Sequence, residues 1–139
     1  MLNRICVLVA CALCGIIIGC SKSEGPELGY VEGIVTLNGE PLDGATLQFE
    51  PTGGRASSAI TDERGHYVLD FSATSQGALV GKHVVRIQSA RAASGGEGGA
   101  PLVKSRPEIL PAKYHARSEL TAEVQGGNNT VDFALESKS

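Results

Sequence analysis

From Tyr30 onward the chain alternates apolar and polar residues in short runs, and each run ends at a glycine-rich turn. In TLQFEP, Leu47 and Phe49 share a face while Gln48 and Glu50 oppose it. In HYVLDF the shared face is Tyr67, Leu69 and Phe71, and in NTVDFAL it is Val131, Phe133 and Leu135. A period of two is the signature of strands with one buried face. Weaker runs of the same kind cover Val31 to Leu37, Ser57 to Thr61, Lys82 to Gln88 and Leu120 to Val124. About seven strands are therefore expected, separated by turn signals such as Asn38-Gly39, Asp43-Gly44, Gly53-Gly54, Arg64-Gly65 and Gly126-Gly127. No stretch keeps a helical period over three turns, so an all-β sandwich is predicted, with little or no helix after residue 20.

Composition agrees. With 139 residues there is room for one domain, since a domain takes roughly 100 to 150 residues. Three tyrosines, three phenylalanines and no tryptophan leave the core to aliphatic side chains. A net charge of -3 argues against nucleic acid as a partner, because that affinity needs clustered lysine and arginine.

The first nineteen residues follow a different rule. Arg4 precedes an uncharged apolar run, Ile5 to Ile18, which has the length of a signal segment. It falls short of the roughly 20 residues of a comfortable membrane span. Cys6, Cys11, Cys14 and Cys20 all lie here, and Cys11 and Cys14 have the C-x-x-C spacing of a redox or zinc pair. Their context points instead to secretion. Ile17-Ile18-Gly19-Cys20 resembles the bacterial lipobox, with Ile17 in place of the usual leucine. That resemblance implies a signal peptide over 1–19 and an acylated, palmitate-type anchor on Cys20. Two or more acyl chains, at about 0.8 kcal/mol per buried methylene, give stable attachment. Ser21 after the cysteine implies sorting to the outer membrane in a Gram-negative cell. Residues 20–29 read as the anchor and a polar tether, and 30–139 as the sandwich.

Two segments carry residues of chemical interest. In ITDERGHYVL, Asp62, Glu63 and His66 are types that bind metals or move protons. Yet consecutive acids on a turn diverge, and the other histidines, His83 and His115, lie in separate segments. A hairpin turn is the expectation here, with Asp62 accepting from nearby amides and Gly65 in a left-handed conformation. No metal site, cofactor or catalytic residue is predicted. The connection 90–111, centred on Gly-Gly-Glu-Gly-Gly, reads as a long flexible loop.

The ordered runs GIVTLNGEPLDGATLQFEP, ITDERGHYVL, GALVGKHVVRI and LPAKYHARSELTAEVQGGNNTVDFAL resemble the transthyretin-like, or carboxypeptidase-regulatory-like, β-sandwich. The likeness is strongest to small lipoproteins of planctomycete bacteria. It implies a seven-stranded prealbumin-like fold and a non-catalytic structural or protein-interaction role at the cell envelope. The hydroxyisourate hydrolases of the wider fold end in Tyr-Arg-Gly-Ser, which the C-terminus Leu135-Glu-Ser-Lys-Ser139 lacks. Related domains crosslink a first-strand lysine to an asparagine, but the first strand here has no lysine, although Asn128 and Asn129 precede the last. The alternative is a carbohydrate-binding envelope lipoprotein. Tyr114 and Lys113 are then the candidate ligand contacts, with Tyr30 a further candidate, since sugar rings stack on exposed aromatics.

Overall fold

The structure is a computed structural model that describes residues 25–138; the signal segment and Cys20 lie outside the described residues. Twelve strand segments and one 3-10 turn, Ala112–Tyr114, are present among them. In chain order the strands are β1 (Leu28–Leu37), β2 (Glu40–Pro41), β3 (Thr46–Pro51), β4 (Ser57–Ile60), β5 (His66–Val68), β6 (Asp70–Ser72), β7 (Ser75–Gln76), β8 (Ala78–Leu79), β9 (Gly81–Gln88), β10 (Thr121–Val124), β11 (Gly127–Thr130) and β12 (Phe133–Leu135). They form two six-stranded sheets packed as a β-sandwich.

The first sheet is built around β1. Along one edge its ten residues pair antiparallel with β8, β5 and β2 in turn. Along the other they pair parallel with β11 and then β12. Between β11 and β12 the Val131 amide still donates to the Glu32 carbonyl at 2.8 Å, and a side chain then continues the ladder: Asp132 Oδ1 accepts from the Ile34 amide at 2.8 Å. Glycine permits the close approach here. A Cβ on Gly33 would stand 1.9 Å from the Val131 carbonyl oxygen. The second sheet runs β10-β9-β3-β4-β6-β7, all antiparallel.

The alternating residues meet between the sheets. Val31, Val35, Leu47, Phe49, Leu69, Val85 and Ile87 are fully buried, with Tyr67, Phe133 and Leu135 beside them. Phe49 contacts Phe133 edge-on, with centroids 6.2 Å apart and planes at 77°. Tyr67 lies 6.4 Å from each of these rings, so three aromatics bridge the sheets near its hydroxyl. That hydroxyl donates to the Val131 carbonyl at 2.6 Å, which satisfies its polar end inside the core.

Three expectations need correction, and the connection 90–111 has a definite path. The count of about seven strands missed β2, β7 and β8, two residues each and too short to show alternation, and NTVDFAL, expected as one strand, is divided between β11 and β12. HYVLDF was expected as one strand but changes sheet at Leu69: β5 pairs with β1, whereas β6 pairs with β4. Phe71 is therefore only half-buried, with the Arg55 guanidinium 5.6 Å from its ring centre. The strand begins inside the expected tether, at Leu28, because Gly29 lets β1 run against Gln125. Residues 90–111 double back as paired arms, with bridges Arg91↔Arg106 and Ser94↔Val103.

Candidate functional site

Lys113 and Tyr114 close the 3-10 turn that follows Pro111. The turn presses the Tyr114 ring into the core, where it is 8% exposed. Its hydroxyl accepts from the Glu136 amide at 3.1 Å and so holds the C-terminal segment. Lys113 Nζ lies over the same ring, 5.2 Å from its centre. Neither ring face is free to stack on a sugar. Residues that follow are fixed in the same way: Arg86 donates to the His115 carbonyl, and Ser118 Oγ donates to the Val85 carbonyl. The Arg86 guanidinium also meets Glu50 through two bonds, at 3.0 and 3.1 Å.

The turn at Asp62 takes the shape its sequence implies. Asp62 Oδ1 accepts from the amides of Arg64 and His66, at 2.9 and 3.0 Å, and Gly65 has φ +73°. His66 then starts β5 on the outer face of the first sheet. Its Nε2 stands 3.4 Å from Glu32 Oε2, and Nδ1 stands 4.0 Å from Asp62 Oδ2. Tyr30 donates to Glu32 at 3.3 Å. Desolvation, then the Glu32 carboxylate, raise the Tyr30 phenol above its ordinary value. Glu63, in the same turn, is exposed. No group of three metal-binding side chains converges among the described residues.

A cluster that sequence reasoning missed ties down the arms of 90–111. Glu108 accepts from the Ser89 and Leu110 amides at 3.0 Å, from the Ala90 amide at 3.4 Å and from Ser89 Oγ. Desolvation opposes the charge on Glu108. The bonds from the Ser89 hydroxyl and the Leu110, Ser89 and Ala90 amides outweigh it and hold the carboxyl below its ordinary value. Arg106 donates to the Ser89 carbonyl at 2.7 Å, while Arg91 donates to the Lys104 carbonyl and pairs with Asp43 at 3.2 Å. Desolvation and the nearby Arg91 lower the Arg106 guanidinium, against the pull of Asp43 and Glu108. Partners about twenty residues apart leave no local pattern, so sequence offered no signal for this cluster.

The remaining histidines are turned inward or onto backbone. His83 is 2% exposed and packs 5.8 Å from Phe49, with Nε2 at 2.7 Å from the Leu79 carbonyl oxygen. His115 Nε2 lies 3.0 Å from the Leu110 carbonyl oxygen. An open groove of about 890 Å³ runs between the arms and the outer face of β3 and β4, lined in part by Ile60, Leu102, Val103, Asp43 and Arg91.

No protein-family model and no curated protein matches this chain. Among solved structures it is similar to a DUF3823 family protein from Parabacteroides merdae, with 15% identity and a TM-score of 0.41, over 80% of this chain and 47% of that one. It is also similar to a 9R-lipoxygenase from Cyanothece, with 16% identity and a TM-score of 0.34, over 84% of this chain and 18% of that one. The chain thus spans less than half the length of either, and neither alignment transfers a residue role.

Proposed function

We propose that the chain is a lipid-anchored sandwich of the prealbumin-like, carboxypeptidase-regulatory-like type, acting without catalysis as a structural or protein-interaction module at the cell envelope. One observation carries the non-catalytic reading: seven of the side chains suited to chemistry are bonded to the chain's own backbone. Glu108, Asp62, Asp132, Arg86, Arg106, Tyr67 and His83 each hold a loop, a strand junction or a turn in this way. A residue held by several such bonds is poorly placed to accept a proton or attack a substrate.

The anchor rests on Ile17-Ile18-Gly19-Cys20. Growth of cells expressing the full chain with a labelled fatty acid tests it: label is expected on the wild-type protein in the membrane fraction and lost in Cys20→Ser. Equal labelling of both would refute the anchor. A glycan array probed with the same protein tests the role. Specific sugar binding would displace the structural reading in favour of a carbohydrate-binding lipoprotein, with a contact surface other than the buried face of Tyr114.

A further inference from the structure

Asn38 and Gly39 form the two-residue connection between β1 and β2, flanked by the pair Leu37↔Glu40. Both have positive φ, 51° and 83°, as a tight hairpin of this type requires. Asn38 is the one non-glycine residue with positive φ among the described residues. Its amide side chain is engaged at both ends by a single residue near the C-terminus. Asn38 Nδ2 donates to Ser137 Oγ at 2.9 Å, and Ser137 N donates to Asn38 Oδ1 at 3.1 Å. The backbone adds a third tie, from Asn38 N to the Leu135 carbonyl at 2.9 Å. Gly39 by contrast has open space on its side-chain side, with nothing within 4 Å of where a Cβ would stand.

We propose that Asn38 is a site of spontaneous covalent modification, by deamidation through Gly39, and that the C-terminal Glu136–Ser137 segment is the clamp that restrains it. An asparagine followed by glycine is prone to this chemistry because no side chain shields the glycine nitrogen. The Gly39 backbone nitrogen attacks Asn38 Cγ and forms a five-membered imide. The Cγ–Nδ2 bond breaks, and ammonia leaves with the proton that Gly39 gives up. Water then opens the imide at either carbonyl and yields aspartate or isoaspartate at position 38. The attack needs Cγ to swing toward Gly39 N, and both Ser137 bonds oppose that swing.

The two products differ in how they fit the clamp. An aspartate carboxylate can still accept from the Ser137 amide and, with the direction of that bond reversed, from the Ser137 hydroxyl. Isoaspartate instead lengthens the backbone of a two-residue turn whose register is fixed by Leu37↔Glu40. The isoaspartate product therefore loosens the end of β12 and weakens its junction with β1. Among the described residues, the other asparagines lack this combination. Asn128 precedes Asn129, and Asn129 precedes the β-branched Thr130 while bonding to the carbonyls of Tyr30 and Gln125.

The test is incubation of the full-length protein at mildly alkaline pH in isotopically heavy water, followed by peptide mass spectrometry of the segment holding Asn38. A product in which heavy oxygen from the solvent has replaced the Asn38 amide nitrogen marks conversion. Wild type, Ser137→Ala and Ser137→Pro form the series; alanine removes one bond, and proline removes both the hydroxyl and the amide N–H. The chain unfolded in guanidinium chloride gives the unrestrained rate. Conversion confined to Asn38 is expected, slowest in folded wild type, about fivefold faster for the loss of one neutral hydrogen bond, faster again in Ser137→Pro, and fastest in the unfolded chain. Circular dichroism verifies that each variant is folded; if Ser137→Pro is not, Ser137→Ala carries the comparison. Equal rates in folded and unfolded wild type would overturn the clamp, as would an unchanged rate in the folded variants. No conversion at Asn38 in the unfolded chain would overturn the site itself.

Discussion

Gly65 and His66 are neighbours in the Asp62 turn, yet their side-chain positions face different surroundings. A Cβ on Gly65 would lie 2.4 Å from the Val35 carbonyl oxygen, and its φ of +73° disfavours any branched residue. The Gly65 carbonyl also accepts from the Val35 amide at 2.8 Å, so the turn cannot move aside without losing a ladder bond. Gly65→Val is expected to destabilise by at least about 2 kcal/mol, combining left-handed strain with the clash. His66, with 40% of its side chain exposed and its contacts to Glu32 and Asp62 facing water, is a weak ion pair at most. His66→Ala should change stability by about 0.5 kcal/mol or less. Chemical denaturation of both variants measures the difference. A His66→Ala loss as large as that of Gly65→Val would mean that the carboxylates around His66 depend on its charge. The local chemistry of this turn was legible because its bonds run between residues two to four apart. The contact with Glu32 was not, because it depends on which strand β5 joins.

Among the elements, sequence reading succeeded where alternation and pairing coincide and failed where a strand changes sheet. Leu47 and Phe49 in β3 are buried as expected, since β3 lies in mid-sheet between β4 and β9. Tyr67, Leu69 and Phe71 keep the same alternation, but the break at Leu69 moves Phe71 to a margin. Nothing in a period of two announces such a crossing. Tyr114 was unreadable for a related reason: its burial follows from a 3-10 turn docking on β9 and from the position of Glu136. The arms of 90–111 make the same point with a testable consequence. Their base is held by one carboxylate, Glu108, whose pKa is lowered in the fold. A group with a depressed folded pKa contributes stability above its unfolded value, near 4.5, and that contribution disappears as pH falls through the folded value. Protonation should therefore release the arms in acid. The protection of the Ser89, Ala90 and Leu110 amides against hydrogen exchange, taken relative to the intrinsic rate at each pH, is expected to fall in wild type as pH drops below the unfolded value near 4.5. In Glu108→Ala these amides should exchange quickly at neutral pH, with a stability loss of about 1 to 2 kcal/mol, limited by the exposure of the carboxylate. Exchange in Glu108→Ala equal to that of wild type at neutral pH would show that the bridges Arg91↔Arg106 and Ser94↔Val103 hold the arms without it.

For the whole molecule, the governing feature is that β1 completes its sheet only with strands far from it in sequence. Its parallel partners β11 and β12 lie almost a hundred residues downstream, and the bond between Ile34 and Asp132 spans 98 positions. Closing so long a loop costs entropy before any contact rewards it, although the cost grows only slowly with length. β3, β9 and β10 also pair across long separations, so local structure supplies little of the nucleus. Folding is therefore expected in the range of milliseconds to seconds, as for other sandwiches dominated by non-local pairs. Phe133 tests where in that process the last strand docks. Its ring packs against both Phe49 and Tyr67, and Phe133→Ala should cost about 3 to 5 kcal/mol. If β12 docks after the main barrier, the loss will appear as faster unfolding with an almost unchanged folding rate. Stopped-flow measurements across denaturant separate the two limbs. A folding rate that falls in proportion to the lost stability would instead place the Phe49–Tyr67–Phe133 contacts in the nucleus, and the first and last strands would then meet early, before the edge strands form.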